Sequence, residues 1–490
     1  MSELVLERGI VIVYLLGCVA LGVLASRRVL GSNDEYWVAG RSVGPWVNAI
    51  ALMAALASGG SIIGVMGLAY SKGIPTTLAF FAGAVVGFPL ASILVAPQLR
   101  RFGRFTISDF LSARFPSPVM RFGVPLLIVL SFTIYIVAQM KAAGLTAEAL
   151  LGIPYDAALV ISAVVFVAYV SFGGMLAVTW TDVVQGAIML VVIVVAAALL
   201  IVTFGGAGAI FDAAMTRAPA LGEAGASGLS TSLGAFVIWA AAIPVVPHVV
   251  MRVYTAKDAR GAQLSLNMAM IGYVVMILLA VLVIVPVGKA SFPELADADL
   301  VFHEVVKAHF PPLLRGVAVA AVIAAVMSTT DALLLACSSA VAHDLIEVAA
   351  RRPLSPRALG RINVAVVWVI GAVATALAFR PPALLTELYS AAIGVLSAAL
   401  FVPLIAGLWW RRANALGGAL ALTAGALVYL GLYFSGVVPR LSAILYALPA
   451  SALAMLIGAR LGAPPDRAIT AEVDRLHEDA PPDSAPREIS

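Results

Sequence analysis

Charge is scarce in this chain. Asp, Glu, Lys and Arg together make up 11% of its 490 residues, where a soluble domain carries about 25%. Cysteine is nearly absent. Cys18 and Cys337 both lie in apolar runs, which excludes a disulfide framework. There is no G-x-x-x-x-G-K phosphate cradle, which argues against ATP-driven transport within the chain. The five histidines form no H-E-x-x-H pair; His303-Glu304 with His309 has the wrong spacing and reads as an outer loop rather than a zinc site. No nucleophile–base pair suggests an intramembrane enzyme, and no stretch reads as the soluble output domain of a sensor. The first apolar run follows Glu3, Glu7 and Arg8 rather than a basic leader, so it is expected to stay as a span rather than be cleaved as a signal peptide.

What is present is hydrocarbon. Hydrophobic residues account for 62% of the chain, and mean hydropathy is +1.05. The fold class is therefore an all-α polytopic membrane protein, because about 20 apolar residues cross a bilayer as one helix. About thirteen spans are expected, starting near residues 10, 46, 75, 121, 157, 181, 231, 264, 313, 362, 384, 414 and 441. The net charge of +4 is read as loop charge, not as a nucleic-acid surface. Arginines collect in alternate loops, at Arg27, Arg28 and Arg41, at Arg100 to Arg121, at Arg252 to Arg260, at Arg351 to Arg361, and at Arg411 and Arg412. The positive-inside rule then places the N-terminus outside and the C-terminus in the cytoplasm of a bacterial inner (plasma) membrane. One loop on the inner side, between Ser171 and Asp182, has no basic residue. Residues 463–490, rich in Pro, Asp and Glu, read as a disordered cytoplasmic tail after a membrane domain over 1–462.

Two spans are interrupted. The second reads Ala54-Ala-Leu-Ala57-Ser58-Gly59-Gly60-Ser61-Ile-Ile-Gly64, and the seventh reads Trp239-Ala-Ala-Ala-Ile-Pro244-Val-Val-Pro247-His248. Ser-Gly-Gly-Ser permits unwinding, and the prolines remove backbone donors. Freed backbone groups are tolerated at membrane depth only where they line a cavity. If the first span is an addition, the interrupted helices are the first and sixth of the core. Paired breaks in matching halves, about 46–204 and 231–409, point to a secondary-transporter binding site. Each has a plainer reading: Gly60-x-x-x-Gly64 as a packing motif, Pro244 and Pro247 as a kink.

The ninth span carries Ala325-Val-Met-Ser328-Thr329-Thr330-Asp331. Ala325, Ser328 and Thr329 share one face. Two hydroxyls there, facing carbonyls freed near Ala54 and Ala57, suit a small hard cation; the alternative is back-bonding of each hydroxyl within its own helix. Asp331 belongs to an interior network or caps a local polar cluster. Lys141 meets an anionic solute, pairs with an acid, or snorkels outward. Asp182 caps the sixth span or lines an ion path.

The chain resembles the sodium/solute symporter family, whose members include proline, pantothenate, acetate and sugar carriers. The resemblance runs from Tyr36-Trp-Val-Ala-Gly-Arg41 to about Arg460. It is strongest in Met327-Ser-Thr-Thr-Asp-Ala-Leu-Leu-Leu-Ala-Cys-Ser-Ser-Ala-Val-Ala-His-Asp344 and in Phe172-Gly-Gly-Met-Leu-Ala-Val-Thr-Trp-Thr-Asp182. It implies a LeuT-type inverted-repeat core of ten helices, with one extra N-terminal helix and two C-terminal ones. It implies sodium as the coupling ion, held by the carbonyls of Ala54, Ala57 and Ala325 and the hydroxyls of Ser328 and Thr329, with Asp182 at a second cation position or release route. Solute contacts would come from Ser58, Gly59, Gln139, Trp239, Tyr135 and Tyr389, with Lys141 suited to an anion. Proline carriers of the family have an acid where this chain has Leu56, so the lean is toward an acetate- or monocarboxylate-like solute. Proline, other amino acids or pantothenate, proton coupling, and a non-transporting sensor are the alternatives. No cofactor and no obligate protein partner are expected beyond solute, sodium and the lipid bilayer.

Overall fold

A computed structural model describes residues 2–26, 37–223, 228–347, 355–380 and 385–478. The expected arginines Arg27, Arg28, Arg351 and Arg352, the first residue of the Tyr36 motif, and tail residues 479–490 lie outside the described residues. Among the described residues every regular element is a helix. Besides the short helices Ala96–Phe102 and Ala207–Arg217 and single 3-10 turns, these are, in chain order, α1 (Ser2–Ser26), α2 (Pro45–Leu56), α3 (Gly60–Lys72), α4 (Ile74–Leu94), the short α5 (Ile107–Arg114), α6 (Val119–Leu151) and α7 (Tyr155–Thr203). They continue with α8 (Gly228–Ala242), α9 (Pro247–Thr255), α10 (Ala259–Ser291), the short α11 (Val301–His309), α12 (Pro312–Glu347) and α13 (Pro356–Ala378). The last four are α14 (Leu385–Trp409), α15 (Ala415–Ser435), α16 (Arg440–Leu461) and α17 (Arg467–Arg475).

Eleven helices among the described residues are long and apolar enough to span, and the bent pair α2–α3 makes a twelfth. The shorter apolar stretch Tyr155–Ala168 at the start of α7 falls below that length, so eleven to twelve spans stand against the expected thirteen or so. The basic-free inner loop expected between Ser171 and Asp182 is not a loop. The two halves of α7 meet at Gly174, whose φ of 56° and ψ of −175° break the helical path in a single residue. A left-handed φ is open to glycine without a side-chain clash.

Burial ranks the spans. The most apolar window of α12 is 89% buried within the protein, that of α1 only 17%. α12 is enclosed by α1, α2, α6, α7 and α13, while α8 packs on α4 and α14. A helix apolar all round belongs in the interior, so polar residues on it are surrounded by protein rather than lipid.

The tail corrects an expectation. Residues 467–475 are helical, not disordered. Val473 and Leu476 are buried among Phe102, Phe110 and Arg114. Arg101 donates to Leu476 O at 2.7 Å, and Arg411 pairs with Asp474 at 2.7 Å. A composition rich in charge hid one short amphipathic helix. The same contacts gather Arg101, Arg114 and Arg411 on one face, hereafter the arginine-rich face.

Candidate functional site

The first break sits between α2 and α3, which bend by 62°. In an uninterrupted helix the carbonyls of Ala54, Ala55 and Ala57 would accept from the amides of Ser58, Gly59 and Ser61. Here all three amides turn elsewhere. Ser58 N donates to Leu56 O at 2.8 Å, Gly59 N to Gln139 Oε1 at 3.0 Å, and Ser61 N to Ser58 Oγ at 3.0 Å.

Two of the released carbonyls, those of Ala54 and Ala55, face α12. Ser328 Oγ donates to Ala54 O at 2.9 Å and lies 3.2 Å from Ala325 O; Thr329 Oγ1 donates to Ala55 O at 2.9 Å. All five residues, and Ala57, are fully buried. The hydroxyls thus cross to another helix, and only Ser328 also touches its own. Ala55 was not expected. Which carbonyl meets which hydroxyl depends on where the helix breaks, and Ser-Gly-Gly-Ser does not specify that to the residue.

The expected solute residues gather on the other side of the break. Tyr135 donates to Ser58 Oγ at 3.2 Å and stacks on Tyr389 with ring centroids 5.7 Å apart. Trp239 packs edge-on against Tyr389 at 5.9 Å, and Phe80 lies 5.6 Å from Trp239. A Cβ on Gly60 would sit 2.5 Å from the Tyr389 ring, so glycine is what lets the ring lie against the broken backbone. Gln139 Nε2, Trp239 Nε1 and Tyr389 Oη are all buried without a hydrogen-bond partner. Buried donors are ordinarily satisfied, so three unpartnered ones around one aromatic cluster stand out. Phe80 and Tyr273 complete the cluster, Tyr273 within 3.3 Å of Ser61 Oγ. Sequence reasoning missed both because aromatic residues in spans carry no signal of their own.

Lys141 stands apart from this cluster. Its ammonium pairs with Asp299 at 3.1 Å, and Asp299 also accepts from the Leu385 amide at the start of α14 at 3.1 Å. Of the three roles open to it, pairing with an acid is the one observed. Burial pushes the Asp299 carboxyl upward, and the Lys141 charge opposes that shift.

Asp182 does not cap a helix; it lies inside the second half of α7 and is fully buried. It forms an ion pair with Arg252 of α9, whose guanidinium also reaches Thr179 Oγ1 at 2.5 Å. Asp182 Oδ1 and both oxygens of Asp331 have no hydrogen-bond partner, and Asp331 lies within electrostatic reach of Asp182 and Arg252.

The second break, from Ile243 to Val246, behaves differently. Val245 N and Val246 N both donate to Ala242 O, at 2.8 and 2.9 Å, so the turn closes on itself. The two broken spans are also tied together. Val43 N donates to Thr255 O at 3.2 Å, and Asn48 of α2 donates to Arg252 O at 2.9 Å and accepts from Thr255 Oγ1 at 3.2 Å.

With this geometry in place, comparison with known proteins is informative. The profile described as the sodium:solute symporter family matches residues 36–425. The osmoregulated proline transporter OpuE of Bacillus subtilis is 28% identical over 466 residues, covering 93% of this chain and 94% of that protein. The sodium/pantothenate symporter of Escherichia coli is 28% identical over 459 residues, covering 90% and 93%. Among solved structures, a Na+-coupled sialic acid symporter superposes with a TM-score of 0.78 at 19% identity, covering 94% of this chain and 98% of its own. Mhp1, a nucleobase-cation-symport-1 family transporter, gives 0.57 at 19% identity, covering 91% and 99%. These neighbours share the LeuT-type fold. A profile covering most of the chain, on a fold with a broken first core span, leads to one conclusion: this chain belongs to the sodium/solute symporter family.

Proposed function

We propose that this symporter carries a small solute bearing a carboxylate and that its coupling sodium sits between α2 and α12. The observation that supports the sodium assignment is the set of oxygens from Ala54, Ala55, Ala325, Ser328 and Thr329, brought together where the helix breaks; the carbonyl of Ala57, released at the same break, is proposed to join them. Hydroxyl hydrogens satisfy the carbonyls of Ala54 and Ala55 in the absence of an ion; a cation takes over that role, and the hydroxyls turn their lone pairs to it. Hard monovalent cations favour such neutral oxygens. Asp182 and Asp331 offer unpartnered carboxylate oxygens for a second cation or a proton.

Three unpartnered donors, Gln139 Nε2, Trp239 Nε1 and Tyr389 Oη, support an acceptor-rich solute. Proline, pantothenate and sialic acid, named for the relatives, each carry a carboxylate. Lys141 is held by Asp299, so the charge of the solute would be met by these dipoles and by the bound sodium. The arginine-rich face is assigned to the cytoplasm and the N-terminus to the outside.

The test is a thermal-unfolding screen of the purified protein against monocarboxylates, amino acids, pantothenate and sugars, with sodium or choline. Ligands stabilise by their preference for the folded state. A carboxylate hit that needs sodium is expected. A sugar hit, or a carboxylate hit that is equal in choline, would overturn the reading.

A further inference from the structure

The sequence draws attention to histidines at 303 and 309, but they do not form a site. His303 is fully buried and bonded to Thr146, and His309 is bonded to Ser291. A different histidine does have metal-like surroundings. At the arginine-rich end of α12, His343 and Asp344 meet Asp109 of α5, from 234 residues earlier in the chain. One ligand atom from each of the three lies within 4.8 Å of the others. Metal–ligand bonds of about 2.0–2.2 Å would draw this set together with side-chain adjustments of about 1 Å.

Each ring nitrogen of His343 faces a carboxylate: Nδ1 lies 2.7 Å from Glu347 Oε2, and Nε2 lies 3.1 Å from Asp109 Oδ1. A nitrogen facing a carboxylate holds a proton or a metal between them. A carboxylate behind the other nitrogen is the usual device for fixing a ligating imidazole. The two aspartates are already oriented. Asp109 Oδ2 accepts from the amides of Phe105 and Thr106 at 3.1 Å each, and Asp344 Oδ1 accepts from Thr106 Oγ1 at 2.9 Å. The remaining oxygen, Asp344 Oδ2, has no partner although the residue is only 5% exposed. Three carboxylates around one imidazole leave an excess of negative charge. The side chains of His343 and Asp109 are 20% and 12% exposed, so the cluster lies just beneath the surface.

We infer that Asp109, His343 and Asp344 form a binding site for a divalent transition ion of the zinc class, with Glu347 orienting the imidazole. An imidazole with two carboxylates favours zinc-like ions over magnesium or calcium, which take oxygen alone. The site lies fifteen residues along α12 from Ser328. An ion held there fastens that helix to α5, so occupancy restrains the motion of the helix that carries the proposed sodium hydroxyls.

The experiment is zinc titration by calorimetry on the purified full-length chain, with cobalt absorption as a readout of the ligand set. One saturable site per chain is expected. Glu347→Gln should weaken it by about 10–100-fold, as loss of an orienting group does. His343→Gln should weaken it further and abolish the cobalt ligand-field bands. Asp344→Asn should do the same; if that buried change prevents folding, His343→Gln, at a side chain that reaches the surface, decides. Absence of a saturable site overturns the proposal, as does zinc affinity unchanged in His343→Gln, which would place the ion on another histidine.

Discussion

The two broken spans have the same kind of interruption but resolve it in different ways. Between α2 and α3 the chain releases carbonyls and leaves them to hydroxyls from another helix. Between α8 and α9 it folds the loose amides of Val245 and Val246 back onto Ala242 O. A break whose polar groups are met from outside can exchange those partners for an ion. A break that satisfies itself cannot do so as readily, and it serves as a joint and as a support for aromatic side chains such as Trp239. Glycine and serine let the first break open toward another helix; at the second, the prolines remove two helical donors and the remaining loose amides fold back locally onto Ala242 O.

This contrast is open to experiment. The largest effect is expected at the anchor of the second span. Arg252→Met strands Asp182 as an unpaired buried charge, which typically costs about 3–5 kcal/mol; thermal unfolding should show a large drop with or without sodium. Next comes the paired substitution Ser328→Ala and Thr329→Ala. It leaves two buried carbonyls without donors, at about 1–3 kcal/mol each, and should raise half-saturating sodium at least about tenfold. Stabilisation by sodium identical to that of the parent protein would remove the ion from the first break. Gln139→Ala should weaken solute-dependent stabilisation by about tenfold, the worth of one buried hydrogen bond, with a smaller effect on sodium. Pro244→Ala is the mildest. Half-saturating sodium should move less than about threefold, or ~0.6 kcal/mol, while initial uptake rates fall. A sodium defect there as large as that of the paired hydroxyl substitution would erase the distinction between the breaks.

The sequence makes the spans legible because each must satisfy its own backbone in lipid, so its apolar length shows directly. It also marks both interruptions and the hydroxyl pair, through residue types that a lipid-facing helix avoids. It does not reveal Ala55, whose role depends on three diverted amides and not on its methyl side chain. Nor does it reveal the Lys141–Asp299 pair or the Arg252–Asp182 pair, because each joins residues at least 70 positions apart. The stretch from Ser171 to Asp182 reads as a loop because its glycines, threonines and Asp182 interrupt an apolar run, and composition does not show that Gly174 alone makes the reversal. Helix α17 was hidden for the opposite reason: two buried side chains, Val473 and Leu476, hold a segment whose charge predicts disorder.

Asn48 has a mechanical consequence. Its side-chain amide grips Arg252 O and the Thr255 hydroxyl, so the entrance of the first broken span and the exit of the second share one fastening. A tilt of either span is therefore transmitted to the other at that end. On the proposed sodium site, an ion entering the first break would pull on this fastening and, through it, on the span that carries Trp239.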